Sequence, residues 1–220
     1  MAKPAKPKAD READPSVETG KPFLQRRVGL LAVVVVLFAV AFAGWQYYRQ
    51  AAEKPQAQAP AIGGPFSLVD QEGRPVTDAY FKGRFMLVYF GYTFCPDICP
   101  TQLTEMGNAL DLLGPVADKV TPVFITVDPE RDRPEHLKEY LTFFHPRMVG
   151  LTGTPEQIKA AAKAYKVYYK KSESEGEDPD DYLMDHTSVT YLMGPDGAFI
   201  AHFSHDTGTE AMAARLREFL

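Results

Sequence analysis

The stretch Phe90-Gly91-Tyr92-Thr93-Phe94-Cys95-Pro96-Asp97-Ile98-Cys99-Pro100 holds both cysteines of the chain. It continues a β-like run, Arg84-Phe85-Met86-Leu87-Val88-Tyr89-Phe90, and leads into Leu103, Met106, Leu110 and Leu113, which recur at helical spacing until Gly114-Pro115. Both thiols therefore belong to a strand-to-helix junction. Pro100 suits the first helical position, where its missing N–H costs nothing. On that reading Cys99 caps the helix, and the partial positive charge of the helix N-terminus favours its thiolate. Three residues separate the cysteines, so the sulfurs can converge on one metal ion or oxidise to a disulfide, and spacing alone does not choose. A purely structural disulfide is the weaker reading, because closing so short a loop stabilises little.

Working outward, residues 66–69 and 74–76 read as a strand, turn and strand forming an edge hairpin. Downstream, Pro122-Val-Phe-Ile-Thr-Val-Asp128 is a short β-branched run typical of a central strand. Residues 134–144 form an amphipathic helix, 148–151 a short strand, and Thr154-Pro155-Glu156-Gln157 opens a helix to about residue 165 with a capping residue and proline. Strands follow near 167–170, at 187–193 and at 198–203, the last two joined by the turn Gly194-Pro-Asp-Gly197, and a helix closes the chain from residue 209. This order predicts an α/β protein with a thioredoxin-like fold and extra hairpin segments over residues 64–220.

The N-terminal part differs in kind. Residues 1–27 are Lys/Ala/Pro-rich without apolar periodicity, with seven Lys/Arg against four Asp/Glu, and read as a disordered tail. The eighteen residues from Val28 to Trp45 carry no charge, close to the roughly 20 needed to span a bilayer. Trp45, Tyr47 and Tyr48 stand where an interfacial aromatic belt belongs. The expectation is a single transmembrane anchor over 28–48 and a Pro/Ala/Gln linker over 49–63. The excess of Lys/Arg before the run puts the N-terminus in the cytoplasm and the folded domain in the periplasm of a bacterial-type inner membrane. Ala41-Phe42-Ala43 offers the competing reading of a signal peptide cleavage site. Either way the cysteines leave the cytoplasm.

The whole chain of 220 residues carries a net charge of -5, which argues against a nucleic-acid binder. Two closely spaced cysteines point instead to a redox pair or a metal site. Thiolates are soft donors suited to Cu(I) or Zn(II), and an added imidazole also accommodates Cu(II). Of the five histidines, His136, His145, His202 and His205 lie on or near helices and the last strand, whereas His186 stands just before the strand expected to pair near the cysteine strand. His186 is thus the candidate third ligand, with Asp185 placed to orient it. Thr93, two residues before Cys95, only weakly suggests a peroxidase, whose threonine stands one residue further upstream. The charged run Val127 to Asp132 reads as a solvated loop or a partner contact. The acidic segment 172–181 is a candidate dock for a basic partner such as a cytochrome c.

Gly91-Tyr-Thr-Phe-Cys95-Pro-Asp-Ile-Cys99-Pro, Val127-Asp-Pro-Glu-Arg-Asp-Arg-Pro134 and Asp185-His186 together resemble the markers of the Sco/SenC family, over about residues 64–220. The resemblance implies a membrane-tethered, thioredoxin-fold copper protein that helps to assemble the binuclear copper centre of cytochrome c oxidase. It implies copper ligation by Cys95, Cys99 and His186, and delivery to oxidase subunit II, with another periplasmic copper chaperone as a further partner. The family also contains members thought to act as thiol reductants. The alternative is therefore a thiol-disulfide oxidoreductase in which Cys95 and Cys99 form the catalytic redox pair.

Overall fold

The computed structural model describes residues 22–52, 62–172 and 182–220, with side chains in the first stretch described for 33–47 and 49. The chain divides into two compact units, one before and one after residue 58. In the first, α1 (Pro22–Ala52) is a helix of 31 residues. Its apolar side chains from Val33 to Val40, with Phe42 and Trp45, are exposed. Arg49 lies over the Trp45 ring at 4.4 Å. Among the described residues, no helix is long and apolar enough to cross a membrane. The expected span begins at residues 28–32, whose side chains lie outside the described set, as do residues 1–21 and most of the linker.

The second unit is built on a seven-stranded sheet. Its strands are β1 (Ser67–Asp70), β2 (Pro75–Thr77), β3 (Phe85–Gly91), β4 (Val120–Thr126), β5 (Val149–Thr152), β8 (Val189–Met193) and β9 (Phe199–Ser204). Two further strands, β6 (Tyr169–Lys171) and β7 (Met184–His186), form a separate antiparallel ribbon. The sheet order is β2-β1-β5-β4-β3-β8-β9. β3, β4 and β5 run parallel, and the outer pairs are antiparallel. Parallel strands need crossovers, and α2 (Ile98–Leu113) and α3 (Pro134–Leu141) supply them. Nearly every residue of β3 and β4 is buried, the pattern of strands covered on both faces, which is why both read as continuous apolar runs.

α4 (Pro155–Ala164) packs on β1, α3 on β5, and α5 (Thr209–Arg217) on α2. α4 opens on the expected capping residue, which forms a full capping box: the Gln157 backbone N–H donates to Thr154 Oγ1 at 3.3 Å, and the Thr154 N–H donates to Gln157 Oε1 at 2.8 Å. The hairpin β1–β2 lies at the sheet edge, as its turn residues predict. Two local expectations change. α2 starts at Ile98, so Pro100 is its third residue, still within the turn whose N–H groups lack helical partners. Met184-Asp185-His186, expected to precede a strand, forms β7. A three-residue strand with a mixed charge pattern has no periodicity of its own and exists through its pairing with β6.

Candidate metal centre

The sulfurs owe their placement to how α2 begins. Asp97 is the N-cap residue, but its side chain makes no capping bond. Instead the Cys99 backbone N–H donates to Cys95 Sγ at 3.4 Å, so the Cys95 sulfur takes the place of a capping oxygen. This reverses the expectation drawn from spacing: Cys95 occupies the helix N-terminus, and Cys99 lies inside the first turn, fully buried. The ionisation follows the geometry. Donation from Cys99 holds the Cys95 thiol down at about 3, helped by His186 and the backbone N–H groups of the helix start and opposed by partial burial. Cys99 is pushed well up, first by its hydrogen bond to Cys95 and then by burial. The pair thus keeps one proton, held on Cys99, and presents Cys95 as the thiolate. Both cysteines are free thiols.

Close packing confines Cys99. A Cβ on Gly91 would stand 2.8 Å from Cys99 Sγ and 2.9 Å from the Tyr89 ring, so only glycine fits there. The buried Tyr89 hydroxyl donates to Cys99 Sγ at 3.7 Å. β3 therefore supplies both the space and a hydrogen bond for the sulfur.

His186 arrives from β7. Its Nε2 lies 3.4 Å from Cys99 Sγ, and its Nδ1 lies 3.2 Å from the carbonyl oxygen of Thr187. A carbonyl only accepts, so this contact places a proton on Nδ1, and Nε2 is the nitrogen that faces the sulfurs and would serve a metal ion. Tyr89 and Tyr92 meet the imidazole edge-on, with centroids 6.1 and 5.9 Å away. Asp185, expected to orient the histidine, is exposed: alternation along β7 turns it from the face His186 occupies, and the Thr187 carbonyl does the orienting.

The ligand atoms of Cys95, Cys99 and His186 all lie within 4.8 Å of one another. Metal bonds of about 2.0–2.3 Å in a trigonal arrangement require separations of about 4 Å, so the three donors fit one soft ion with sub-ångström adjustment. The other four histidines lie away from the sulfurs. His136 stacks on Phe94 and places Nε2 2.9 Å from Thr93 Oγ1, and His145 approaches Asp111 at 3.7 Å. His202 stacks on Phe199, and His205 is exposed.

At its two aspartates the charged run after β4 is neither solvated nor a contact surface, whereas Glu130 is exposed. Asp128 and Asp132 are 2% and 0% exposed. Asp132 accepts from the Thr93 hydroxyl at 2.5 Å, the Thr93 N–H at 3.0 Å and the Thr126 hydroxyl at 2.6 Å. Burial nevertheless raises its carboxyl above the usual range. Thr93, weighed as a peroxidase marker, is thus a tie between the cysteine loop and Asp132. Tyr182, which carried no sequence signal, donates to Asp128 at 2.8 Å. The acidic segment 173–181 lies outside the described residues.

Fold and site together define a class: a thioredoxin-like α/β protein with two thiols and an imidazole arranged to share one soft metal ion. The family profile SCO1/SenC matches residues 54–220, and the chain belongs to that family. Protein sco1 of Schizosaccharomyces pombe is 46% identical over 161 residues, which cover 73% of this chain and 61% of that protein. The chain therefore spans less than two thirds of that relative. Bradyrhizobium japonicum ScoI, solved with copper bound, is 48% identical, with a TM-score of 0.67 over 73% of this chain and 100% of that one. BsSco, a member of the Sco family of cytochrome c oxidase assembly proteins in which a disulfide switch has been identified, shares the fold at a TM-score of 0.56 and 24% identity, covering 73% of this chain and 94% of that one.

Proposed function

We propose that the protein is a membrane-anchored copper metallochaperone that delivers copper to the binuclear site of cytochrome c oxidase subunit II. The observation that carries this reading is the convergence of Cys95, Cys99 and His186 within 4.8 Å. Copper is the cargo: two sulfurs suit Cu(I), and the imidazole lets the same site take Cu(II). Cys95 is half-buried and already a thiolate, so it is the ligand an incoming partner reaches, and exchange there starts the transfer. Copper-bound ScoI supports the choice of metal.

The anchor is the 28–48 stretch within α1, whose exposed apolar side chains suit a lipid surround, with the Lys/Arg excess before that stretch facing the cytoplasm and the folded unit in the periplasm. Loading the full chain with Cu(II) tests the reading. A thiolate-to-copper charge-transfer band is expected in the wild type and absent from Cys95→Ser and Cys99→Ser. A wild type without the band, or with the band unchanged in both variants, overturns it.

The depressed Cys95 thiol specifically favours a second reading, a thiol-disulfide oxidoreductase that keeps the oxidase's copper-ligating cysteines reduced. Cys95 thiolate attacks a target disulfide, forming a mixed disulfide and releasing one target thiolate. Cys99 then passes its proton to the released target thiolate and attacks Cys95 Sγ, releasing the second target thiolate. The target gains two electrons, and the protein ends as the Cys95–Cys99 disulfide. Copper binding and oxidase assembly that both survive His186→Ala, with assembly lost in Cys95→Ser, select this reading over the first.

A further inference from the structure

The two halves of the metal centre come from elements that do not pair with each other. The cysteines follow β3 in the main sheet, and His186 ends β7 in the separate ribbon. Both halves are tied to one short segment, the turn between β4 and α3. On one side Asp132 accepts from the backbone and the hydroxyl of Thr93, two residues before Cys95. On the other, Asp128 accepts from the hydroxyl of Tyr182, two residues before β7. The Tyr182 ring, 4% exposed, lies between two cations: the Arg131 guanidinium at 3.6 Å and the Lys171 ammonium of β6 at 3.4 Å from its centroid. Cation–π contacts of this kind strengthen as they are desolvated. Arg131 also pairs with Asp128 at 2.5 Å and lies 4.4 Å from the Phe94 ring in the cysteine loop.

The turn is itself braced. Thr126 Oγ1 donates to Asp132 and accepts from the Asp128 N–H at 2.9 Å, and the Asp132 N–H donates to the Asp128 carbonyl at 2.9 Å. The two carboxylates are therefore held at a set separation, each gripping one half of the site.

We propose that the turn between β4 and α3 is the frame that sets the distance between the thiols and the imidazole, with Asp132 the positioning residue for the cysteine loop and Tyr182, seated on Asp128 and Arg131, the positioning residue for the histidine ribbon. This rests on the three-ligand reading of the site, but its primary test needs no metal. In the copper-free full chain, Tyr182→Phe keeps the ring between its cations and deletes one hydrogen bond. It should speed hydrogen exchange of the peptide spanning 183–187 by about five- to tenfold and leave that spanning 92–96 within about twofold, the scale of one lost bond. Asp132→Asn should do the reverse and alter the rate at which iodoacetamide alkylates Cys95.

Loaded with Cu(II), Tyr182→Phe should shift the charge-transfer band and release copper to a chelator about five- to tenfold faster, at a melting temperature near that of the wild type. If neither peptide responds, or if both variants loosen both peptides together with those of β3 and β4, the turn contributes only general stability and the frame is refuted. A wild type that fails to bind copper sinks the copper reading and leaves the exchange result to stand or fall independently.

Discussion

The β3–α2 junction and the β6–β7 ribbon bring the same site its two kinds of ligand by opposite means. The junction lies in the middle of the sheet: β3 pairs with β4 on one side and β8 on the other, and Cys99 is fully buried against Gly91 and Tyr89. The ribbon has two strands of three residues, partly exposed, paired only with each other, packed on the core through Tyr169 and Met184 and tied to the β4–α3 turn by Tyr182. A two-stranded unit is marginal alone, so the histidine depends on tertiary ties whereas the sulfurs depend on the core. The thiol half is thus set in the buried core and the imidazole half on a more exposed ribbon, a difference that would serve the proposed transfer of copper.

The contrast can be broken most severely at the sulfurs. Cys95→Ser and Cys99→Ser should each abolish the Cu(II) charge-transfer band, read by absorption spectroscopy. His186→Ala should weaken Cu(II) binding by about 100-fold or more in a chelator competition, since even outer partners of a metal ligand are worth about 10–100-fold. It should leave the melting temperature almost unchanged, because His186 is only partly buried and its loss opens no cavity in the hydrophobic core. An equal loss of stability on removing His186 would contradict the proposed division of labour.

Gly91→Ala probes the stiff half. The added methyl meets Cys99 Sγ, Tyr89 and Phe124 at 3.0 Å or less, so overpacking should cost about 1–3 kcal/mol in a denaturant titration. Acidity probes the thiol pair more gently. Alkylation of Cys95 should be nearly independent of pH from about 5 to 8 and fall as the pH drops towards about 3, with Cys99 much slower throughout.

The linked stability has two parts. Cys95 is depressed on folding, so its contribution is full above the unfolded value of about 8.5 and is lost as the pH falls towards about 3. Cys99 is raised, so its contribution is full below about 8.5 and is lost as the pH climbs above it. The smallest effect is reserved for Asp185→Ala, expected to leave copper affinity within about twofold, because an exposed side chain facing away from the site contributes little. A larger loss would restore Asp185 as the residue that orients His186.

Much of this architecture was legible in the chain. β3 and β4 announced themselves as continuous apolar runs because both their faces are buried, and the capping Thr154 with Pro155 marked the start of α4. The cysteine spacing and His186 were legible as candidates. Which sulfur caps α2 was not: moving the helix start by two residues exchanges the roles of Cys95 and Cys99, and helix boundaries are the least certain part of any pattern reading. The aspartates after β4 looked like ordinary surface charge, because burial of a carboxylate depends on donors such as Thr93 and Tyr182 that lie 39 and 54 positions away. Tyr182 follows an acidic stretch without periodicity, so nothing local marked it as a core residue.

The sequence by itself determined the order of strands and helices apart from β7, the strand-to-helix junction that carries both thiols, and the chemical type of the donors, because these depend on local periodicity and side-chain identity. Only the tertiary structure decided that Cys95 carries the charge, that the Thr187 carbonyl rather than Asp185 orients His186, and that one turn grips both halves of the site. Each of these follows from contacts between distant segments, where a few ångströms of approach and the exclusion of water set the energy of a hydrogen bond or an ionised group.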